Sequence, residues 1–285
     1  MCCAWAQASS PSARSPDVRY YLALGDSLAQ GMQPDAAGIT VNTDQGYADQ
    51  LYAIERASIP RLKLIKLGCG GETTGSFLTG HGNPDSLLLG CNPPGGSQMA
   101  AAERFLRHHS RRGEVALLTL DIGANDVVGC ASGASFDIGC VTRGVSAIQR
   151  NLPRIMHRLR HTAAARTRLA AMTLYDPFLQ LYLMPADRSE AITIDYYARN
   201  LNRALERLYR AAAFRVAHVD TAFRTYDLAT PTGTGAGPVL PPAVTEICRL
   251  TWMCAAPPVG PNIHANEAGY ALIAGAFAQA FARRR

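Results

Sequence analysis

Short apolar runs alternate with longer stretches of helical periodicity along this chain. The runs Val18–Leu24, Leu62–Leu67, Val115–Ile122, Arg168–Tyr175 and Phe214–Asp220 predict strands. Tyr47–Ala57, Ser97–His109, Thr142–Thr162, Glu190–Ala212 and Asn266–Arg283 predict helices. Strands that alternate with helices argue for βαβ units and a mostly parallel sheet. The expected architecture is therefore α/β, a three-layer α/β/α sandwich of flavodoxin-like type over residues 18–285 with five strands in its sheet. Met1–Asp17, rich in Ser, Ala and Pro, reads as a disordered lead-in. Gly75–Gly96, Val127–Val141 and Thr221–Ile263 fall outside the alternation and read as loops, each following the carboxyl end of a strand. They are expected to gather on one rim, the edge at which open α/β sheets place their ligands.

One stretch organises the rest. Tyr20–Leu24 is long enough for a buried strand and stops at Gly25-Asp26-Ser27, where a glycine and two small polar residues suit a tight turn. Ser27 is thereby carried to the rim. Two readings are open at this point: a helix cap, which Ser and Asp both serve well, or a reactive hydroxyl.

Composition narrows the function classes. The chain has 285 residues, 48% of them hydrophobic, enough for one large domain or two small ones. Its net charge of +6 sits partly in arginine groups such as Arg111-Arg112 and Arg283–Arg285, and basic residues do not interleave with aromatics. Solvated helix faces are expected, with no nucleic-acid partner. No run reaches the about 18 apolar residues of a membrane span. Of eight cysteines, Cys2 and Cys3 lie in the lead-in and the other six fall as near neighbours, with no CxxC. Disulfides are expected over a metal site, and with them an oxidising, secreted or extracytoplasmic location. MCCAWAQASS has no basic n-region and too short an apolar run for a complete signal peptide, so the signal is absent or truncated in this chain.

Three later segments match the setting of Ser27. Gly68-Cys69-Gly70-Gly71-Glu72-Thr73-Thr74 follows the second apolar run, Gly123-Ala124-Asn125-Asp126 follows the third, and His264-Ala265-Asn266-Glu267 opens the last helix. With Gly25-Asp26-Ser27-Leu28 they resemble, in order, the four blocks of the SGNH (GDSL) hydrolase superfamily. The phrases GDSLAQGMQP, KLGCGGETT, GSQMAAAERFL and TLDIGANDV are similar to those of secreted bacterial esterases and lipases of that superfamily. Sequence proximity and the resemblance together pair Cys69 with Cys91, Cys130 with Cys140, and Cys248 with Cys254.

The resemblance implies a site. A serine hydroxyl is a poor nucleophile until its proton is taken. Among seven histidines, His264 alone stands before a helix within a matching block. His81, His108, His109, His157 and His161 lie in loop or on Arg-rich helical faces, and His218 sits in a strand. Ser27 is then the nucleophile and His264 the general base. The main-chain NH groups of Ser27 and Gly71 and the amide of Asn125 form the oxyanion hole. The superfamily usually carries Asp-x-x-His, but three residues before His264 stands Pro261. The main-chain carbonyl of Pro261 is the first expectation for the group orienting His264, the Asn262 side chain the second, and Asp220 or Asp227 the third. Asp26 and Asp126 read as structural acceptors of main-chain NH groups. Gly68–Gly71 lacks the Gly-Lys-Ser/Thr ending of a phosphate cradle, so no cofactor and no metal are expected.

Tyr175–Met184, with Phe77-Leu78 and Trp252-Met253, could form an apolar acyl-binding surface; alternatively Phe178–Met184 begins a core helix. The expected activity is hydrolysis of aliphatic or aromatic acyl esters, small or lipidic, through an acyl-enzyme, by a monomer without membrane insertion. A carbohydrate O-deacetylase on the same fold is the near rival. A non-catalytic lipid- or glycan-binding protein is the distant one, favoured only by the proline at 261.

Overall fold

The computed structural model describes residues 18–81, 95–132, 135–229 and 239–282. The expected lead-in and Cys91 lie outside these residues, as do parts of all three expected loops. The apolar runs form the strands β1 (Arg19–Gly25), β2 (Leu62–Lys66), β3 (Val115–Asp121), β4 (Arg168–Met172) and β5 (Arg215–Ala217). They make one sheet in the order β2-β1-β3-β4-β5, with every neighbouring pair parallel. The order reverses between β1 and β3, the point at which doubly wound sheets open a crevice.

The helices are α1 (Ser27–Gln30), α2 (Tyr47–Glu55), α3 (Thr74–Thr79), α4 (Gln98–His109), α5 (Ile138–Thr162), α6 (Arg188–Ala211), α7 (Val219–Ala222), α8 (Pro242–Leu250) and α9 (Glu267–Ala282). Strand side chains alternate between faces, and β1 divides accordingly. Tyr21 and Ala23 pack with Tyr47 and Leu51 of α2, Ile247 of α8 and Phe277 of α9. Leu22 and Leu24 pack with Met99 of α4, Leu152 of α5 and Leu205 of α6. The result is the three-layer α/β/α sandwich. Burial of each such large side chain contributes about 1.5–3 kcal/mol, and Tyr21, Leu22 and Leu24 are fully buried.

The structure departs from expectation mostly where glycine and proline were read as loop. Within Gly75–Gly96, α3 forms because Thr73 and Ser76 make a reciprocal capping box. Within Thr221–Ile263, α8 starts on Pro242 at its first position and buries Ala243, Val244, Ile247 and Leu250. Helix α5 begins at Ile138, inside the second expected loop, because Asp137 caps it by accepting from the Cys140 NH. The last strand ends early: beyond Ala217 the chain turns into α7, where the Asp220 carboxylate accepts from Thr173 Oγ1 (2.6 Å) and the Thr221 NH (2.8 Å). Phe178 begins no long helix; Pro177–Leu183 is a 3-10 segment capped by Asp176.

Candidate active site

The turn after β1 is built by main-chain geometry that only glycine suits. Gly25 has φ of +139°, and a Cβ there would meet the Asp121 carbonyl at 2.0 Å. Asp26, not Ser27, caps α1: its Oδ1 accepts from the Leu28 NH at 3.0 Å. The cap reading of Ser27 therefore falls to its neighbour, and Ser27 lines a cleft while the residues on either side of it are buried.

Beneath Ser27 lies a polar cluster. The Asp26 NH donates to the Asp121 carbonyl (3.1 Å) and lies 3.3 Å from its Oδ2, and the Tyr47 hydroxyl donates to Asp121 Oδ1 at 2.5 Å. Burial pushes the Asp26 carboxyl up to about 6. Burial, and then the neighbouring Asp26, raise Asp121 well above the usual carboxylate range. Two carboxyls this close in a dry interior cannot both ionise readily.

Gln98 ties this turn to the second block. Its Oε1 accepts from the Gly25 NH (2.7 Å), and its Nε2 donates to the Gly25 carbonyl (2.8 Å) and to Glu72 Oε2 (3.0 Å). Gln98 lies in the phrase GSQMAAAERFL, and the sequence assigned it no role. An amide at the start of an amphipathic helix was the available signal, and Gln98 is fully buried.

Asn125 stands in the tight turn after β3, and its Nδ2 donates to the Glu72 carbonyl at 3.0 Å. An amide nitrogen carries two hydrogens, so one remains for a ligand. Asp126 accepts from Thr74 at both its NH (2.8 Å) and hydroxyl (2.7 Å), joining the third block to the second. Gly71 adopts φ of +71°, directly before Glu72. It belongs to this joined turn but does not itself line the cleft.

His264 lies on a short strand outside the main sheet, β6 (Asn262–Ala265), paired antiparallel with Thr251–Trp252. Its Nδ1 lies 2.7 Å from Asn262 Oδ1, which also accepts from the His264 NH at 3.0 Å. The acceptor is therefore the Asn262 side chain and not the Pro261 carbonyl. Residues two apart on a strand share a face, which places the side chain of 262 beside that of 264. Asp220 is occupied by Thr173 and Thr221. Asp227 pairs with Arg224. Burial without a facing carboxylate lowers the His264 imidazole to about 4. The Tyr175 hydroxyl donates to the Ile263 carbonyl at 2.7 Å, its ring stacked on Phe223.

Ser27, Asn125 and His264 open into one cleft. Its other walls are largely apolar, including Val127, Val128, Phe136, Phe178, Ile194 and Leu201. The expected acyl surface is thus partly misplaced. Tyr175 and Phe178 contribute, but Phe77 is buried in the core and Trp252 donates its indole NH to Gln33 (3.3 Å). α6 and the Ser135–Phe136 strand supply the missing walls. Asp176 also lines the cleft. It is buried, its Oδ2 has no hydrogen-bond partner among the described residues, and burial pushes it up to about 7. Among the described residues, no cluster of three or more His, Cys, Asp or Glu could hold a metal, and no helix is long and apolar enough to cross a membrane. Cys130–Cys140 and Cys248–Cys254 are disulfides, with Cα separations of 5.5 and 5.0 Å.

The GDSL-like lipase/acylhydrolase family model matches residues 23–272. No curated protein matches the chain significantly. Among solved structures, an acetylxylan esterase from Geobacillus stearothermophilus superimposes with a TM-score of 0.50 at 14% identity, over 93% of this chain and 95% of that one. A point variant of an acetyl-xylooligosaccharide esterase from the same genus gives 0.52 at 12%, over 93% and 95%. An extracellular lipase from Streptomyces rimosus gives 0.48 at 18%, over 73% and 82%. These two structures of one esterase share the fold of this chain, and the family match spans all four motif blocks. The chain therefore belongs to the GDSL-like lipase/acylhydrolase family and is a carboxylic ester hydrolase.

Proposed function

We propose that the cleft cleaves esters of aliphatic or aromatic acyl groups, with Ser27 as nucleophile and His264 as general base. The observation that carries this reading is the meeting of Ser27, Asn125 and His264 in one largely apolar cleft. Ser27 Oγ attacks the ester carbonyl while His264 Nε2 takes its proton and then passes it to the leaving alcohol. Water enters by the same base and releases the acid from the acyl-enzyme. The developing oxyanion is held by the Ser27 NH and the free amide hydrogen of Asn125, while Gly71, outside the cleft lining, shapes the adjoining turn. Asn262 orients the imidazole as a neutral acceptor.

Residues 18–285 act as a single domain in this reading, as a monomer and without a cofactor. Two disulfides support a secreted or extracytoplasmic site of action. Apolar walls favour an acyl chain over the hydroxyl-rich sugar that a carbohydrate deacetylase must hold. Hydrolysis of nitrophenyl esters from acetate to palmitate tests the reading. Turnover that vanishes in Ser27→Ala supports it; equal turnover in that variant, or none in the wild type, overturns it.

A further inference from the structure

We propose, building on the Ser27–His264 reading above, that Thr40 is a positioning residue that selects the working tautomer of His264 through the Asn262 amide. The chain of hydrogen bonds is directional. The His264 main-chain NH can only donate, so the Asn262 atom 3.0 Å from it is the amide oxygen. That same oxygen lies 2.7 Å from Nδ1. An amide oxygen cannot donate, so Nδ1 carries the ring proton and Nε2 keeps its lone pair for the Ser27 hydroxyl. The far end of the amide is held as well: Asn262 Nδ2 donates to Thr40 Oγ1 at 3.1 Å.

A carboxylate at this place would attract an imidazolium with either oxygen. A neutral amide has one useful end, and a half-turn about its terminal torsion presents two donors to two donors. It therefore needs anchoring on both sides, and Thr40 supplies the second anchor. Thr40 arrives on a stiff support. Thr40–Val41 pairs antiparallel with Gln33–Pro34, and Asp35 Oδ1 accepts from the Ala37 and Ile39 NH groups, both at 2.9 Å, closing the turn between them. The bond from the Trp252 indole to Gln33 ties this hairpin to the strand that pairs with β6.

Nitrogen-15 NMR of the full chain at pH 7 reads the His264 tautomer, with His264→Ala assigning the signal. The wild type and Thr40→Ser are expected to hold the Nδ1–H form, and Thr40→Val to lose it or mix the two. On a nitrophenyl ester, Thr40→Val is expected to lower kcat about tenfold with KM unchanged, the effect of roughly one hydrogen bond. Thr40→Ser should restore most of that loss. In an Asn262→Ala background, Thr40→Val should cost nothing further. An unchanged tautomer in Thr40→Val, or losses that multiply in the double variant, would overturn the role of Thr40 while leaving Ser27 dependence intact. Conversely, absent Ser27 dependence removes the hydrolase reading, and the tautomer measurement still decides Thr40.

Discussion

The side-chain oxygen of Asn262 lies 2.7 Å from Nδ1 of His264, two residues further along the same short strand. A neutral acceptor thus stands where relatives of the superfamily usually place a carboxylate. Nothing there stabilises the protonated ring, and burial holds the imidazole at about 4. The base is free whenever it is neutral, so kcat/KM should stay level down to about pH 5 and fall with a midpoint near 4. A midpoint near 6.5 would contradict this.

Asn262→Asp introduces a negative charge against the ring and favours its protonated form. The acid limb of the pH profile should move upward, by one unit or more on the scale of close charge pairs. Asn262→Ala leaves Nδ1 without its partner, and kcat should fall by roughly tenfold or more. An acid limb unmoved in the aspartate variant would show that the two side chains do not interact in solution.

Gln98 holds both main-chain groups of Gly25 and one oxygen of Glu72. Replacement by leucine keeps the bulk but leaves the Gly25 NH unpaired, at a cost of about 1–3 kcal/mol, while the Gly25 carbonyl still accepts from the Cys69 NH at 3.1 Å. For a chain of this size, the Tm should fall by about 2–4 °C per kcal/mol. Because Gly25 sets the turn that presents Ser27, kcat should drop with it. Calorimetry and turnover on the same sample check both.

Asp176 is raised to about 7 by burial, with Asp195 adding to the effect. The folded state therefore holds this proton more tightly than the unfolded chain, whose aspartate titrates near 4. The resulting stabilisation is complete below about pH 4 and is lost as pH rises through 7. Asp176→Asn is neutral throughout, and its oxygen can still accept from the Phe178 NH as Asp176 Oδ1 does at 2.9 Å. Between pH 5 and 8 its Tm should fall less than that of the wild type. Parallel curves would refute the assignment.

Cys248–Cys254 joins the end of α8 to the chain just beyond Thr251–Trp252, the strand that pairs with β6. The closed loop is short, so the chain-entropy contribution to stability is at the small end of the usual range. Replacing both cysteines by serine should therefore cost turnover more than Tm. A large Tm loss with full activity would place the bridge outside the mechanism.

Much of this was legible in the residues. Parallel strands buried on both faces are written as near-continuous apolar runs, and β1 to β4 stand where those runs stand. The glycine of the first turn, the order of the blocks and the separation of cysteine neighbours are likewise local patterns. What escaped was either hidden by composition or not local. Helix α8 has apolar residues at helical spacing, but Pro241-Pro242 and the surrounding glycines masked them; proline is harmless at a first helical position. Asn262 stood second to the Pro261 carbonyl because some relatives of the superfamily hold this histidine with a main-chain carbonyl; that residues 262 and 264 share a strand face became visible only with the strand itself.

The sequence by itself determined which elements form, on which edge of the sheet the four blocks emerge, and which residue types are available there. Those properties follow from periodicity, burial and turn chemistry, all of which act within a few residues. Only the tertiary structure decided the partners: Asn262 for His264, Gln98 for Gly25, the Glu72 carbonyl for Asn125, and α6 as a wall of the cleft. Such contacts join residues far apart in the chain or depend on which way a strand face turns. They are set by sheet register and helix placement, which the minimum free energy of the whole fold selects and no local pattern encodes.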